Sequence, residues 1–289
     1  MVKEKGKMTI NDFKKYKKEG RKFTYVTAYD YTTASIIDQS DCEVILVGDS
    51  LGMIMLGYPG TTSVTVEDMI HHIRPVVKGA PNTFIVGDMP FGSYNISKKQ
   101  AISTANRIYK ETGCDCVKLE GGSEMADTIK GIVTAGIPVM GHIGLTPQTA
   151  GSLGGFKVQG ITPESARQLV EDAKKIEEAG AFSLVLECVP KGVAKAITEA
   201  VEIPVLGIGA GPYVDCQVLV TQDLLNMYGD FKPKFVKQFA NIREEMIKGL
   251  NQFHKESIEG IFPSEEYCFN TKVEGFEVDE NILEESVGI

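Results

Sequence analysis

Seven times along the chain, a run of five to seven β-branched and apolar residues is followed by a polar or glycine-rich break and then by a stretch of helical periodicity. The runs are FTYVTAY (23–29), EVILVGD (43–49), TFIVGD (83–88), CVKLE (116–120), IPVMGH (137–142), FSLVLE (182–187) and IPVLGI (203–208). The eighth is placed at KFVKQFA, from 234. Strands that are apolar on both sides belong to a parallel sheet covered by helices, because a half-exposed strand would alternate. Eight such units suit a closed α/β architecture, a single (β/α)8 TIM-type barrel, with an open doubly wound sheet as the alternative.

The intervening helices carry start and stop signals. Ser97 with Gln100 makes a capping box, Ile102, Ala105, Ile108 and Tyr109 form the apolar stripe, and Gly113 ends the helix in a left-handed conformation. Thr162 before Pro163 opens another helix, with Ala166, Leu169, Val170, Ala173 and Ile176 facing inward and Gly180 closing it. Thr9 with Asp12 marks a short capped helix ahead of the first strand. No linker divides the chain, so the barrel is expected over 1–268, followed by an acidic tail at 269–289.

Charge and cysteine usage exclude several classes. With 30 basic and 39 acidic residues the net charge is −9, which repels polyphosphate, so nucleic acid is not an expected partner. The longest stretch without Asp, Glu, Lys or Arg, 131–156, is broken by Pro138, His142, Pro147 and glycines, so no membrane span is expected. Six scattered cysteines without a C-x-x-C pair, and an N-terminus without an apolar signal core, fit a reducing, cytoplasmic setting. The ends differ in sign: residues 1–22 hold nine basic and three acidic side chains, residues 265–289 eight acidic and one lysine. They are either solvated ends or surfaces that meet each other or a neighbouring subunit.

In a parallel barrel the residues that end the strands gather at one face. Four acids stand at such ends: Asp49, Asp88, Glu120 and Glu187. One acid after a strand commonly caps the next helix, but four crowded carboxylates repel one another unless a cation or proton compensates. With oxygen ligands and no zinc-type His/Cys spacing, Mg²⁺ is the expected metal. Lys118 lies two residues before Glu120 and so shares its face, bringing a positive charge for an anionic substrate. His142 also ends a strand, whereas His71 and His72 sit inside a helical stretch and read as packing or surface residues. The glycines of GIGAG lack the third glycine of a dinucleotide fingerprint, since Pro212 takes that place, and read as close backbone packing or approach to a ligand. Cys114 and Cys116 alone make an incomplete metal site. GSLGGFKVQG (151–160) has the composition of an active-site flap or of a plain surface loop.

The strings TAYDY, VGDSLGM, TVEDMIHH, GDMPFGSY, VKLEGG, GHIGLTPQ, GFKVQG, VLECVP and GIGAG, in this order, resemble the ketopantoate hydroxymethyltransferase family over about residues 8–268. The resemblance implies a barrel of the phosphoenolpyruvate/pyruvate-binding group and a homo-oligomer, a decamer. It implies transfer of a one-carbon unit from 5,10-methylenetetrahydrofolate to 3-methyl-2-oxobutanoate, giving 2-dehydropantoate on the route to pantothenate and coenzyme A. It also implies Asp49 and Asp88 as Mg²⁺ ligands with Glu120 at or just beyond them, Asp49, Ser50, Asp88 and Lys118 as oxo-acid-binding residues, Glu187 as general base, and His142 in support. The chain departs from the family pattern at Cys216, within Asp215–Gln217 before an expected helix, and at Asn226, where glycine is usual.

Read as chemistry, a 2-oxo acid chelated through its carboxylate and ketone would lose its C3 proton to Glu187, the enolate being stabilised by Mg²⁺ and Lys118, and would then attack the folate methylene. A Mg²⁺-dependent lyase or mutase of related barrels is the alternative.

Overall fold

Residues 6–229, 232–271 and 274–275 are described in a computed structural model. Eight parallel strands close on themselves in sequence order: β1 Phe23–Thr27, β2 Val44–Val47, β3 Phe84–Asp88, β4 Cys116–Lys118, β5 Val139–Gly144, β6 Ser183–Glu187, β7 Val205–Ile208 and β8 Cys216–Leu219. The expected TIM-type barrel is therefore present. β8 pairs in parallel with β1, Phe23 opposite Cys216 and Val26 opposite Leu219, which closes the sheet.

One strand lies elsewhere than expected. The eighth is CQVL at Cys216–Leu219, while KFVKQFA is irregular chain whose Phe235 reaches the barrel mouth. CQVL is short and carries an exposed Gln217, so its strand character comes from pairing with β1 and β7 and not from local composition. Cys216 thus belongs to this strand and not to the packing of a helix. Asn226 stands at φ +51°, a conformation that asparagine tolerates better than most non-glycine residues.

The helices begin and end at the expected signals, except that the Gln100 side chain accepts from the Ile96 amide and not from Ser97, so the Ser97–Gln100 capping box is half formed, and Tyr109 of the expected apolar stripe is exposed. The helix Lys98–Thr112 starts at Ser97, whose hydroxyl accepts from the Gln100 amide, and stops at Gly113, φ +76°. The helix Pro163–Glu178 starts at Thr162 with a capping box completed by Ser165. The first helix, Ile10–Glu19, has the Thr9–Asp12 capping box and ends at left-handed Gly20.

That first helix works as a plug. Phe13 is fully buried, and its ring meets Phe23, Phe84 and Phe182 edge-on at centroid distances of 5.3, 4.9 and 5.1 Å. These partners stand at or just before the starts of β1, β3 and β6, so the aromatic cluster seals the N-terminal end of the lumen. The basic N-terminal segment is held by the barrel: Lys17 Nζ donates to the carbonyls of Thr198 (2.8 Å) and Ile203 (2.9 Å) and pairs with Asp215, while Lys7 pairs with Asp115. Above the plug, Tyr25, Val86, Cys116, Met140, Val185 and Leu206 fill the lumen. A second, larger core lies between the strands and the helix ring.

The compact unit holding the barrel ends at Ala240, and a second unit begins at Asn241. Within the second, the helix Ile242–Ile258 has no buried residue and exposes Met246, Ile247, Leu250 and Phe253. The acidic tail lies almost wholly outside the described residues. Among the described residues no helix is long and apolar enough to cross a membrane.

Candidate active site

At the C-terminal end of the strands a cavity of about 500 Å³ opens, lined by Asp49, Ser50, Asp88, Lys118, Glu120, His142 and Glu187 among others. All seven residues singled out from the sequence therefore share one cavity. β2 to β6 supply them in succession, as the alternation of strand side chains requires.

Register sets the closest contact. Asp88 and Lys118 are direct neighbours across β3 and β4, and Lys118 Nζ lies 2.9 Å from Asp88 Oδ1, an ionic contact off the line of a well-aligned hydrogen bond. The Asp49 amide donates to Asp88 Oδ2 at 3.1 Å. Lys118 Nζ is also 3.9 Å from Glu120 Oε1 and 3.3 Å from His142 Nδ1. His142 stands between two acids, its Nδ1 3.4 Å from Glu120 Oε1 and its Nε2 3.3 Å from Glu187 Oε2, the latter an ionic contact without a well-aligned hydrogen bond. Glu187 is the most exposed of the four acids, with 16% of its side chain accessible.

Burial dominates the electrostatics. It pushes the Asp49 carboxyl well above the usual range, and the charges of Asp88 and Glu120 add to the effect. Asp88 is raised as well, burial outweighing the opposing charge of Lys118. Burial works in the same direction on Glu120, but His142 and Lys118 overcome it and hold that carboxyl below its ordinary value. Burial and Lys118 disfavour the charged imidazole of His142, yet Glu120 and Glu187 raise it to about 9. Lys118 stays protonated because the three surrounding carboxylates outweigh its desolvation.

Four acids thus face one ammonium and one imidazolium, and ionising all four would leave a negative surplus. Asp49 Oδ2 is buried without a partner, and Asp88 Oδ1 has only the misaligned lysine. These two under-satisfied oxygens fit a divalent cation. Among the described residues no group of three or more His, Cys, Asp or Glu forms a closed metal cage, so further ligands would be water and substrate oxygens, as Mg²⁺ prefers.

Other functional side chains carried no strand-end signal. Gln148 is buried; its amide donates to Glu120 Oε2 (3.1 Å), its Nε2 donates to the Met89 carbonyl (2.9 Å), and its Oε1 accepts from Tyr94 (2.5 Å). The Tyr94 hydroxyl in turn accepts from the Glu120 amide at 3.2 Å. Glu120 is therefore held at both oxygens and at its backbone. Tyr29, whose phenol is pushed up to about 12 by burial, shares a 2.8 Å hydrogen bond with Ser50. Only the strings GDMPFGSY, GHIGLTPQ and TAYDY could have pointed to these residues, since all three lie in loops after strands.

Two backbone features surround Glu187. Gly144 stands opposite Glu187 at φ +92°, where a Cβ would run into the Glu187 carbonyl. Cys188, directly after Glu187, has φ +49°, a strained value for a non-glycine residue and one that clusters at functional sites.

The remaining motifs resolve simply. Phe156, Lys157 and Val158 of the glycine-rich loop line the cavity. Gly207, Gly209 and Gly211 pack closely on Val214, Phe235 and Lys191. Cys114 and Cys116 belong to different cores and their thiols are pushed up by burial, Cys114 to about 11. His72 bonds through Nδ1 to the Tyr29 carbonyl (2.7 Å) and is a packing residue.

A closed (β/α)8 barrel with a carboxylate-rich site at its C-terminal mouth defines an enzyme of the TIM-barrel class. Solved structures agree on the fold: phosphonopyruvate hydrolase complexed with oxalate and Mg²⁺ matches with TM-score 0.58 at 12% identity, covering 97% of this chain and 95% of that one. 2,3-Dimethylmalate lyase, a member of the PEP mutase/isocitrate lyase superfamily, matches with TM-score 0.55 at 13% identity, covering 90% and 92%. The model of the ketopantoate hydroxymethyltransferase family matches residues 7–265. The 3-methyl-2-oxobutanoate hydroxymethyltransferase of Heliobacterium modesticaldum is 57% identical, covering 91% of this chain and 95% of that protein. The Clostridium novyi protein of the same name is 55% identical, covering 96% and 98%. The chain belongs to the ketopantoate hydroxymethyltransferase family and is an enzyme of hydroxymethyl transfer.

Proposed function

We propose that the mouth cluster moves a one-carbon unit from 5,10-methylenetetrahydrofolate to 3-methyl-2-oxobutanoate, giving 2-dehydropantoate. The observation that carries the reading is the continuous chain Asp88–Lys118–Glu120–His142–Glu187, with under-satisfied carboxylate oxygens at one end and the most exposed acid at the other. An anionic oxo acid belongs beside Lys118, whose ammonium attracts its carboxylate and ketone oxygens, and the Ser50 hydroxyl is placed to orient it. Asp49 and Asp88 would hold a divalent cation, Mg²⁺ by donor chemistry, which supplies Lewis-acid polarisation of the ketone.

Glu187 then removes the C3 proton. Charge developing on the ketone oxygen is met by Lys118, which needs no reorganisation because Asp88 and Glu120 already hold it in place. His142 touches both Glu120 and Glu187 and so orients the base. The enolate carbon forms a bond to the folate methylene as one of its two C–N bonds opens onto nitrogen; the second C–N bond then breaks, water supplying the hydroxyl and its proton going to the departing nitrogen of the carrier. The same reading places the enzyme in the cytoplasm as a homo-oligomer, a decamer, with the catalytic domain continuing to 268.

The test is turnover with both substrates after exhaustive chelation and after Mg²⁺ is restored. Formation of 2-dehydropantoate only with the cation and only with the folate supports the reading. Cleavage or rearrangement of an oxo acid without folate would replace it with a lyase or mutase.

A further inference from the structure

The cavity has a side that the reaction described above does not use. β2 to β6 carry the charged cluster, whereas β7, β8 and β1 close the opposite arc of the barrel. Ile208, Val218 and Val220 give that arc an apolar wall, and Phe235 adds an aromatic face at the mouth. Polar groups interrupt it: Thr27 of β1, Lys234 beside Phe235, and Asp223, in the short helix Thr221–Leu224 that follows β8. The Asp223 side chain is half-buried, it lines the cavity, and among the described residues neither a hydrogen bond nor an ion pair engages it. Burial shifts its carboxyl upward. β8 lies opposite β4 in an eight-strand ring, so Asp223 stands across the lumen from Lys118 and is no part of the ion chain.

A half-buried acid that faces the cavity is free to accept hydrogen bonds from a ligand in exchange for those of water. The oxo acid, itself anionic, is the wrong partner. The other substrate has the right chemistry: its fused ring is flat and apolar on its faces and presents a 2-amino group beside a ring N–H, two parallel donors matching the two oxygens of a carboxylate. Resting on the proposed folate-dependent reaction, we infer that Asp223 is the specificity residue for the one-carbon carrier, accepting both donors of its 2-amino-4-oxo ring while Phe235 and the β7–β8 side chains cover the ring faces.

Calorimetric titration of tetrahydrofolate and of its 2-desamino-2-methyl analogue into the full-length protein and into Asp223→Asn tests this. The wild-type protein is expected to bind tetrahydrofolate and to bind the analogue roughly 10- to 100-fold more weakly, the range for a lost hydrogen bond to a charged group. Asp223→Asn is expected to weaken tetrahydrofolate by a similar factor and to weaken the analogue clearly less, since the analogue keeps only the ring N–H of the two donors. Unchanged affinity for tetrahydrofolate in Asp223→Asn, or equal weakening of both ligands, would overturn the assignment while leaving the folate reaction intact. Failure of the wild-type protein to bind tetrahydrofolate would overturn the folate reaction itself, and the role of Asp223 with it.

Discussion

The two ends of the barrel lumen are built on opposite principles. At the N-terminal end, Phe13 is wedged among Phe23, Phe84 and Phe182, and every group there gains from leaving water. At the C-terminal end, Asp49, Asp88, Lys118, Glu120 and His142 are just as buried, yet the carboxyls of Asp49 and Asp88 are driven upward and some of their oxygens lack proper partners. One end holds the fold together. The other is a local liability that the plug and the helix ring make tolerable, as expected of a preorganised site.

If the ends divide labour in this way, substitutions at the mouth should cost activity and those at the plug should cost stability. Glu187→Gln should lower turnover about 10²- to 10⁴-fold, the range for losing a general base, without a comparable loss of oxo-acid binding. Exchange of the substrate's C3 proton in D₂O, followed by NMR, should vanish; persistent exchange would remove Glu187 as the base. Phe13→Ala should cost about 3–5 kcal/mol of unfolding free energy by opening a cavity under the barrel. Denaturant titration checks this, and KM for the oxo acid should stay near the wild-type value where the variant is folded.

Gly144→Ala sharpens the comparison because it joins fold to site. The added Cβ meets the Glu187 carbonyl in a left-handed conformation, so roughly 2–4 kcal/mol of stability should go together with much of the activity. Asp49→Asn should act in the opposite sense to Phe13→Ala. In buffer free of divalent ions it replaces a buried carboxyl, whose ionisation is disfavoured there, by a neutral amide at nearly constant volume, so the unfolding free energy should rise by about 1 kcal/mol while turnover falls. A loss of stability on that substitution would contradict the picture of a strained mouth.

Much of the site was legible because strand periodicity is local. Asp49, Asp88, Glu120 and Glu187 each end an apolar run, and Lys118 shares a face with Glu120 by the two-residue repeat, so closure of the sheet was enough to bring them to one mouth. Gln148 and Tyr94 were not legible in this way. They sit in loops, and their contact with Glu120 exists only because the segments after β3 and β5 fold over β4.

The eighth strand teaches the same lesson. KFVKQFA has the richer apolar pattern, but CQVL has the neighbours. The amino-acid sequence by itself determined that strands and helices alternate, where most of them begin and end, and which acids stand at strand ends, because these depend on side-chain spacing and on capping groups a few residues apart. Only the tertiary structure decided which segment closes the ring, how His142 comes to stand between Glu120 and Glu187, and which oxygens are left without partners. Those outcomes depend on groups far apart in the chain, and burial sets their energies only once the barrel has closed.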